Sequence, residues 1–526
     1  MTPVLDKWVG KETNARCLAA HRKAKHTLVS LSPRPQIIEP MEAAIYSWAA
    51  FVAHVTTFLI VAFRVIMRKP AVGVALSWLL LVGVIPGVGV LFYLLVGERR
   101  VGQRRAKRIA QLHTDYSLLA DRMVDPAMTN VDWSQHSQAA RGMDRLGHTM
   151  LGIPTVAGSS GQLYTDSAEI LKQMAADIDA AETSILMEFY IWNAGGLADD
   201  VTQALIRAAQ RGVVCRVLVD AVGGSRWWKS EQPAQLREAG VKVLPAFPAG
   251  IWQVVFSRND LRLHRKIVVI DGSLAWTGSM NLVDPRFFKQ DAGVGEWVDA
   301  MVRGEGAAVA PLAMTVIGDW IVESDETIEQ VMESTELSRI KPQGVAAVQV
   351  IPSGPVETSD TLLQMLLAVI NSAQEELVLT TPYFVPDESL LRAICGAAGR
   401  GVKVHLIIPE RVDSLLTRYA SRSYLEELID VGVQVHLFKQ GLLHTKSVTA
   451  DRSISMFGTV NLDMRSIWLN YEVSLFVYGK QFGEHLYNLQ RQYMEQSDRL
   501  DPETWAARPM REKLLENTLR LMSPVL

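Results

Sequence analysis

Two stretches near the N-terminus break the usual mixing of polar and apolar positions: residues 45–63 and 71–97 contain no Asp, Glu, Lys or Arg. As helices rising about 1.5 Å per residue they reach roughly 28 and 40 Å, enough for a hydrocarbon layer of about 30 Å, the second with tilt. A soluble surface helix keeps a polar stripe that both runs lack. The pattern predicts a hairpin of two transmembrane helices, with a re-entrant hairpin or a buried soluble one as the alternatives. Tyr46, Trp48 and Tyr93 stand near the ends of the runs, where interfacial aromatics belong. Pro70 suits a helix start, and Pro86 predicts a kink in the second span. Between the runs lie Arg64, Arg68 and Lys69, whereas Arg99, Arg100, Arg104, Arg105, Lys107 and Arg108 follow the second. The larger cluster predicts that both hairpin ends, and the rest of the chain, face the cytoplasm. Gly87 and Gly89 are not read as a nucleotide loop, because no strand precedes them.

Beyond a basic, then polar connector the pattern changes to short apolar runs alternating with helical spacing. Residues 184–191 (SILMEFYI) predict a buried strand, 199–210 a helix closed by Gly212, and 213–220 (VVCRVLVD) a second strand. A helix over 233–239 and a strand over 241–247 follow. Residues 376–385, 388–398, 402–409 (VKVHLIIP), a helix ending at Gly432, and 433–438 replay that order. The expected fold is α/β, with two similar halves related by a pseudo-twofold axis behind the hairpin. The expected segments are an extension over 1–40, the hairpin over 41–98, the connector over 99–155, the halves over 156–340 and 341–500, and an amphipathic tail over 501–526. The extension has no signal-peptide layout, and Met41 is an alternative start.

At 526 residues the chain is long enough for at least two packing units. Its 53 basic and 56 acidic residues leave a net charge of −3, which gives no electrostatic case for nucleic acid as a partner. Cys17, Cys215 and Cys395 have neither disulfide nor zinc spacing.

The chemistry lies in a repeat. HRKIVVID at 264–271 returns as HTKSVTAD at 444–451, and GSMN at 278–281 returns as GTVN at 458–461, at the same offset from each histidine. In both copies the HxK alternation predicts His264 with Lys266, and His444 with Lys446, on one face of a strand. A pseudo-twofold axis brings both pairs to one cleft. Two imidazoles and two ammonium groups, without a carboxylate or cysteine cluster of metal-ligand type, suit an anionic phosphate substrate with no metal and no cofactor. One histidine would attack phosphorus while the other serves as acid and base. Lys266, Lys446, Asn281, Asn461 and the hydroxyls of Ser279 and Thr459 are the candidate phosphate ligands. Asp299 and Glu472, acids inside apolar strand-like runs, are the candidates for orienting the histidines. Asp271 and Asp451 complete the repeated signature in the catalytic set, with a turn-fixing role as the alternative.

These residues resemble the phospholipase D superfamily, whose members carry paired HxKxxxxD motifs. Together with TTPYFVPDESLL at 380–391 and the hairpin, they are similar to bacterial cardiolipin synthases of the two-motif type from about residue 41 to the C-terminus. The resemblance implies transfer of a phosphatidyl group between two phosphatidylglycerol molecules with release of glycerol, through a phosphohistidine. It implies His264 as nucleophile and His444 as acid and base, an order open to reversal. It also implies residence in a bacterial inner membrane and membrane phospholipids as partners. A phospholipase D that uses water, a transferase with another alcohol and a non-catalytic membrane scaffold are the alternatives; two complete motifs oppose the scaffold. Residues 250–256 (GIWQVVF), present only in the first half, Trp227 and Trp228, and the C-terminal tail are candidates for contact with lipid.

Overall fold

The computed structural model describes residues 40–68, 72–97, 105, 107–108, 126–248, 260–335, 340–355 and 360–521. Residues 1–39 and the 250–256 insertion lie outside them. The chain divides into two compact units, Met1–Val90 and Leu91–Leu526.

In the first unit, α1 (Pro40–Arg68) is a single apolar helix of 29 residues, long enough to cross a membrane. Ile45, Trp48, Phe51, Leu59 and Phe63 on it are exposed, so little protein covers its apolar surface. The second run, expected as one span kinked at Pro86, is interrupted at that proline rather than merely bent. It divides into α2 (Val72–Val84) and α3 (Val88–Val96). Pro86 lacks an N–H and its ring clashes with the preceding turn, and Gly87 takes a φ of +76° to make the corner.

Among the described residues, the second unit is built on one long sheet and two separate two-stranded ones. Its first half contributes β1 (Val156–Tyr164), β2 (Ser184–Phe189), β3 (Val214–Asp220), β4 (Lys242–Ala246), β5 (Arg262–Leu263), β6 (Ile267–Ile270), β7 (Leu274–Gly278), β8 (Trp297–Val298) and β9 (Met301–Gly306). The second contributes β10 (Ala346–Ser353), β11 (Glu376–Thr380), β12 (Phe384–Val385), β13 (Lys403–Pro409), β14 (Gln434–Phe438), β15 (Leu442–Leu443), β16 (Ser447–Ala450), β17 (Ile454–Gly458), β18 (Leu462–Asp463), β19 (Asn470–Tyr478) and β20 (Ser497–Arg499). The main path runs β20-β14-β13-β11-β16-β17-β19-β10-β1-β9-β7-β6-β2-β3-β4. It reads the same outward in both directions from the antiparallel β1–β10 pair, apart from the extra β20. The expected two halves and their pseudo-twofold relation are therefore present, joined edge to edge. Parallel β2–β3–β4 and β11–β13–β14 are the strand–helix alternations legible in the sequence.

Apolar side chains fill both faces. The Val309–Glu323 helix has almost no polar stripe, and twelve of its residues are buried beneath the sheet. In the connector, the Gln138–Leu151 helix begins at a Ser137 cap and is held to the second half, where Gln349 donates to the carbonyls of Asp144 and Ile153 at 3.1 and 2.9 Å.

Three expectations of lipid contact meet this core differently. Trp227 is buried and stacks on Trp192, with ring centroids 4.6 Å apart, so it is a packing residue. Trp228 is half-buried and donates to the carbonyl of Asp220. The tail helix Met510–Arg520 packs on the Leu415–Asp430 helix through Lys513–Glu426 and Arg520–Glu427 pairs, and Glu516 is buried between Arg422 and Arg508.

Candidate active site

The HxK residues do not sit within a strand, as the alternation predicts, but in the links between β5 and β6 and between β15 and β16. The two halves exchange partners at these links. β5 pairs in parallel with the start of β19, and β15 pairs in parallel with β8. The His264 N–H then donates to the carbonyl of Tyr471, and the His444 N–H to that of Val298, each at 2.8 Å. Each histidine is thereby fixed beside the residue that precedes the other half's carboxylate.

The side chains follow this crossing. His264 Nδ1 lies 2.7 Å from Glu472 Oε2, and His444 Nδ1 lies 2.7 Å from Asp299 Oδ1. Both acids are buried, and each is held by a further hydroxyl: Thr459 donates to Glu472 and Ser279 to Asp299, both at 2.6 Å. Asn470 Nδ2 supports the second oxygen of Glu472 at 3.1 Å. With Nδ1–H given to a carboxylate, Nε2 is left unprotonated for chemistry. The Tyr190 ring stands 5.0 Å from His264, and the Trp297 ring 4.3 Å from His444.

Burial pushes both imidazoles down to about 4, against the pull of their carboxylates, so both are neutral at pH 7. Burial by itself raises the Glu472 and Asp299 carboxyls, but the facing histidine, the lysines and the hydroxyl donors hold each below its ordinary value. Lys266 and Lys446 are fully buried, and each donates to the carbonyl of its own motif's histidine. Burial, opposed by Glu472 and Asp299, lowers them to about 8 and about 7. A bound phosphodiester anion would favour their charged forms.

Several expected roles change. Ser279 and Thr459 spend their hydroxyl protons on the orienting carboxylates rather than on a phosphate. Asp271 and Asp451 are not in the centre. Each sits at the far end of β6 or β16 with φ near +50° and accepts backbone N–H groups, from residues 182–184 and 374–376 respectively. They close turns, which a repeated signature alone does not separate from catalysis. The Asn281 carbonyl accepts from the Ile191 N–H at 3.1 Å, which leaves its amide hydrogens as donors; Asn461 Oδ1 is buried without a donor among the described residues. The sequence reading missed Tyr190, Trp297 and Asn470. The last was legible as a polar neighbour at i−2 of Glu472, on the same face of β19.

A two-motif α/β fold with crossed histidine–carboxylate pairs and buried lysines defines a phospholipase D-like class. The family model for "Cardiolipin synthase, PLD-like domain" matches residues 174–292 and 366–494, one HxK motif in each. The chain is 41% identical over 483 residues to Cardiolipin synthase A of Edwardsiella ictaluri (strain 93-146), covering 92% of this chain and 99% of that one. It is 40% identical over 482 residues, with the same coverage, to Cardiolipin synthase A of Yersinia pseudotuberculosis serotype O:1b (strain IP 31758). Among solved structures, phosphatidylserine synthase of Haemophilus influenzae Rd KW20 shares the fold, with a TM-score of 0.57, 16% identity, and coverage of 73% of this chain and 100% of that one. The chain belongs to the cardiolipin synthase family of phospholipase D-like phosphatidyltransferases.

Proposed function

We propose that the protein joins two phosphatidylglycerol molecules into cardiolipin and releases glycerol, at a membrane, through a phosphohistidine. The observation that carries this reading is the pair of neutral, buried histidines, each fixed at Nδ1 by the other half's carboxylate. Binding of the phosphodiester anion would favour uptake of a proton at Nε2 of the second histidine; Nε2 of the first, still neutral, attacks phosphorus, and the bond to the glycerol oxygen breaks as the second histidine delivers that proton to it. The second histidine then removes the proton from the terminal hydroxyl of another phosphatidylglycerol, whose oxygen displaces the first histidine from phosphorus. One phosphodiester replaces another, so no nucleotide is consumed. The resemblance assigns the attack to His264. Lys266, Lys446 and the Asn281 and Asn461 amides would hold the phosphoryl oxygens as charge builds on them.

The two apolar N-terminal runs would both lie in the bilayer as a hairpin, the break at Pro86 being tolerable where neighbouring groups satisfy the freed backbone. The basic segment after the second run supports a cytoplasmic centre at a bacterial inner membrane.

The test is incubation of the purified protein with phosphatidylglycerol alone in mixed micelles, following lipids and released glycerol. Cardiolipin with equimolar glycerol is the expected result. Phosphatidic acid with glycerol and no cardiolipin would make water the acceptor, and no turnover would remove the proposal.

A further inference from the structure

Cardiolipin formation of the kind proposed above draws both substrates from a bilayer, and the following inference rests on that reading. Each lipid phosphate sits at headgroup level with its acyl chains below it, so the surface around the two histidines has to meet the membrane. The sheet register shows which edge carries them. Glu188 near the end of β2 pairs with Ile267 at the start of β6, and Thr380 at the end of β11 pairs with Ser447 at the start of β16. Both HxK links therefore lie along the edge at which the parallel strands β2, β3, β11 and β13 end.

Half-buried side chains at this edge surround the centre. The Tyr190 ring stands 5.0 Å from His264. Asp413 accepts from the Tyr383 hydroxyl at 2.6 Å and pairs with Lys289 at 2.9 Å. Lys289 Nζ is in turn 5.2 Å from the centre of the Trp297 ring, whose other neighbour is His444.

The Lys289–Asp413 pair joins a loop from each half. The two loops share one small apolar core, in which Val283, Phe288, Val294, Trp297 and Leu442 are buried and Val412 packs against them. The residues next to the ion pair face outward instead: Phe287 is 58% exposed, Leu415 66% and Leu416 45%. Exposed Arg411 and Arg418 bracket the leucines, with Glu410 3.9 Å from Arg411. Single exposed apolar side chains are common on any surface, whereas three large ones gathered around one ion pair form a patch of the kind that marks an interaction surface.

The fold itself does not require this exposure. Asp284 caps the Pro285–Phe287 turn as Asp463 caps the Met464–Trp468 helix, and in that matching stretch Ser466 and Ile467 are buried. Val345, 83% exposed just before β10, lies at the opposite edge of the sheet, because β10 reaches the centre with its other end, where Ser353 pairs with Glu472.

We propose that Phe287, Leu415 and Leu416 form an interfacial anchor, which enters the boundary between headgroups and acyl chains and holds the edge carrying the two histidines at the level of the lipid phosphates. Apolar side chains flanked by long cationic ones suit that boundary, since the first bury in the acyl region and the second keep their charge among the headgroups. The ion pair and the small core fix the anchor to the catalytic edge.

The experiment gives the full-length protein phosphatidylglycerol in two forms: long-chain lipid in vesicles that hold the protein, and a short-chain lipid dissolved as monomers. A variant carrying Phe287→Ser, Leu415→Ser and Leu416→Ser is expected to form cardiolipin about tenfold more slowly in vesicles and to turn over the monomeric lipid within about twofold of wild type; Val345→Ser is expected to change neither rate. The ratio of the two rates is independent of the fraction of protein folded, so a destabilised variant still reports. Equal loss in both assays, no loss in vesicles, or an equal effect of Val345→Ser would overturn the anchor. A loss in vesicles accompanied by a fall in oligomeric mass would also overturn it, by making the patch a contact with a second copy of the chain. A wild-type protein that releases glycerol from neither lipid would overturn the functional reading instead.

Discussion

In the first half the residue between histidine and lysine is Arg265; in the second it is Thr445, and the surroundings of the two differ as much as their charges do. Arg265 is buried, donates to the carbonyls of Glu472 and Ser353 at 2.9 and 3.0 Å, and pairs with Asp319. Glu188, close to this pair, has both oxygens buried without a donor among the described residues. Thr445 instead shares a neutral hydroxyl contact with Tyr493 at 3.0 Å, and Gln490 nearby bridges Thr449 and Ser447. Both networks cross between the halves, but differently: the charged one grips the strand that carries Glu472 through a guanidinium, whereas Thr445 reaches the carbonyl of Val298, beside Asp299, only through a neutral hydroxyl at 3.4 Å. Two pairs with the same 2.7 Å geometry thus rest on different supports: the His264–Glu472 pair on an ionic tie between the halves, and the His444–Asp299 pair on neutral hydroxyl contacts.

The largest expected effect breaks the crossing itself. Glu472→Gln and Asp299→Asn should each lower kcat on the order of 10⁴-fold, as the same change beside a catalytic histidine does elsewhere. Nitrogen-15 shifts of labelled imidazoles separate the partners: Glu472→Gln should move His264 and leave His444 in place, and Asp299→Asn the reverse. The opposite assignment would undo the exchange of partners between halves.

The comparison of supports sharpens with stability. Arg265→Gln leaves the part-buried Asp319 unpaired and the carbonyls of Glu472 and Ser353 without their donor, and should cost about 3 kcal/mol, while Thr445→Val should cost about 1 kcal/mol, both measured by denaturant unfolding. Equal losses would mean that the ionic tie is no more than one more polar contact.

The smallest effect concerns Glu188. Burial, reinforced by Asp319, raises its carboxyl well above the ordinary value, against Arg265 and Lys266. A group whose folded pKa is raised supports the fold fully below its unfolded pKa, near 4.5, and loses that contribution as pH rises towards the folded value. Glu188→Gln should therefore be close to neutral at pH 5 and gain relative to wild type as the pH rises above it. A variant that instead loses ground with rising pH would show an ionised, paired Glu188.

Much of this was legible in the sequence, for identifiable reasons. The parallel strands 184–189, 214–220 and 403–409 are short apolar runs that the structure places within two residues of the expectation, whereas the run expected over 376–385 ends at Thr380, and Phe384–Val385 forms a separate short strand. Asp299 and Glu472 were found because an acid in an apolar strand needs a partner. Their pairing across the halves was not legible, since it depends on β5 meeting β19 and β15 meeting β8, contacts between residues about 200 and 145 positions apart. Asp271 and Asp451 were drawn into the catalytic set because repetition marks shared structure as readily as shared chemistry. The antiparallel centre of the sheet was missed as well: Ser159, Ser160 and Gly161 in β1 carry no apolar pattern, and their place is set by the strands on either side.

In the proposed reaction one of the two crossed, neutral histidines forms a covalent bond to phosphorus. Phosphatidylglycerol labelled with phosphorus-32, quenched in alkali after mixing with the protein, tests it directly. Label is expected on a single histidine, in an acid-labile and base-stable linkage, which disappears in one of His264→Ala and His444→Ala and persists in the other. An active protein with no covalent label, or with label on another residue type, would contradict it.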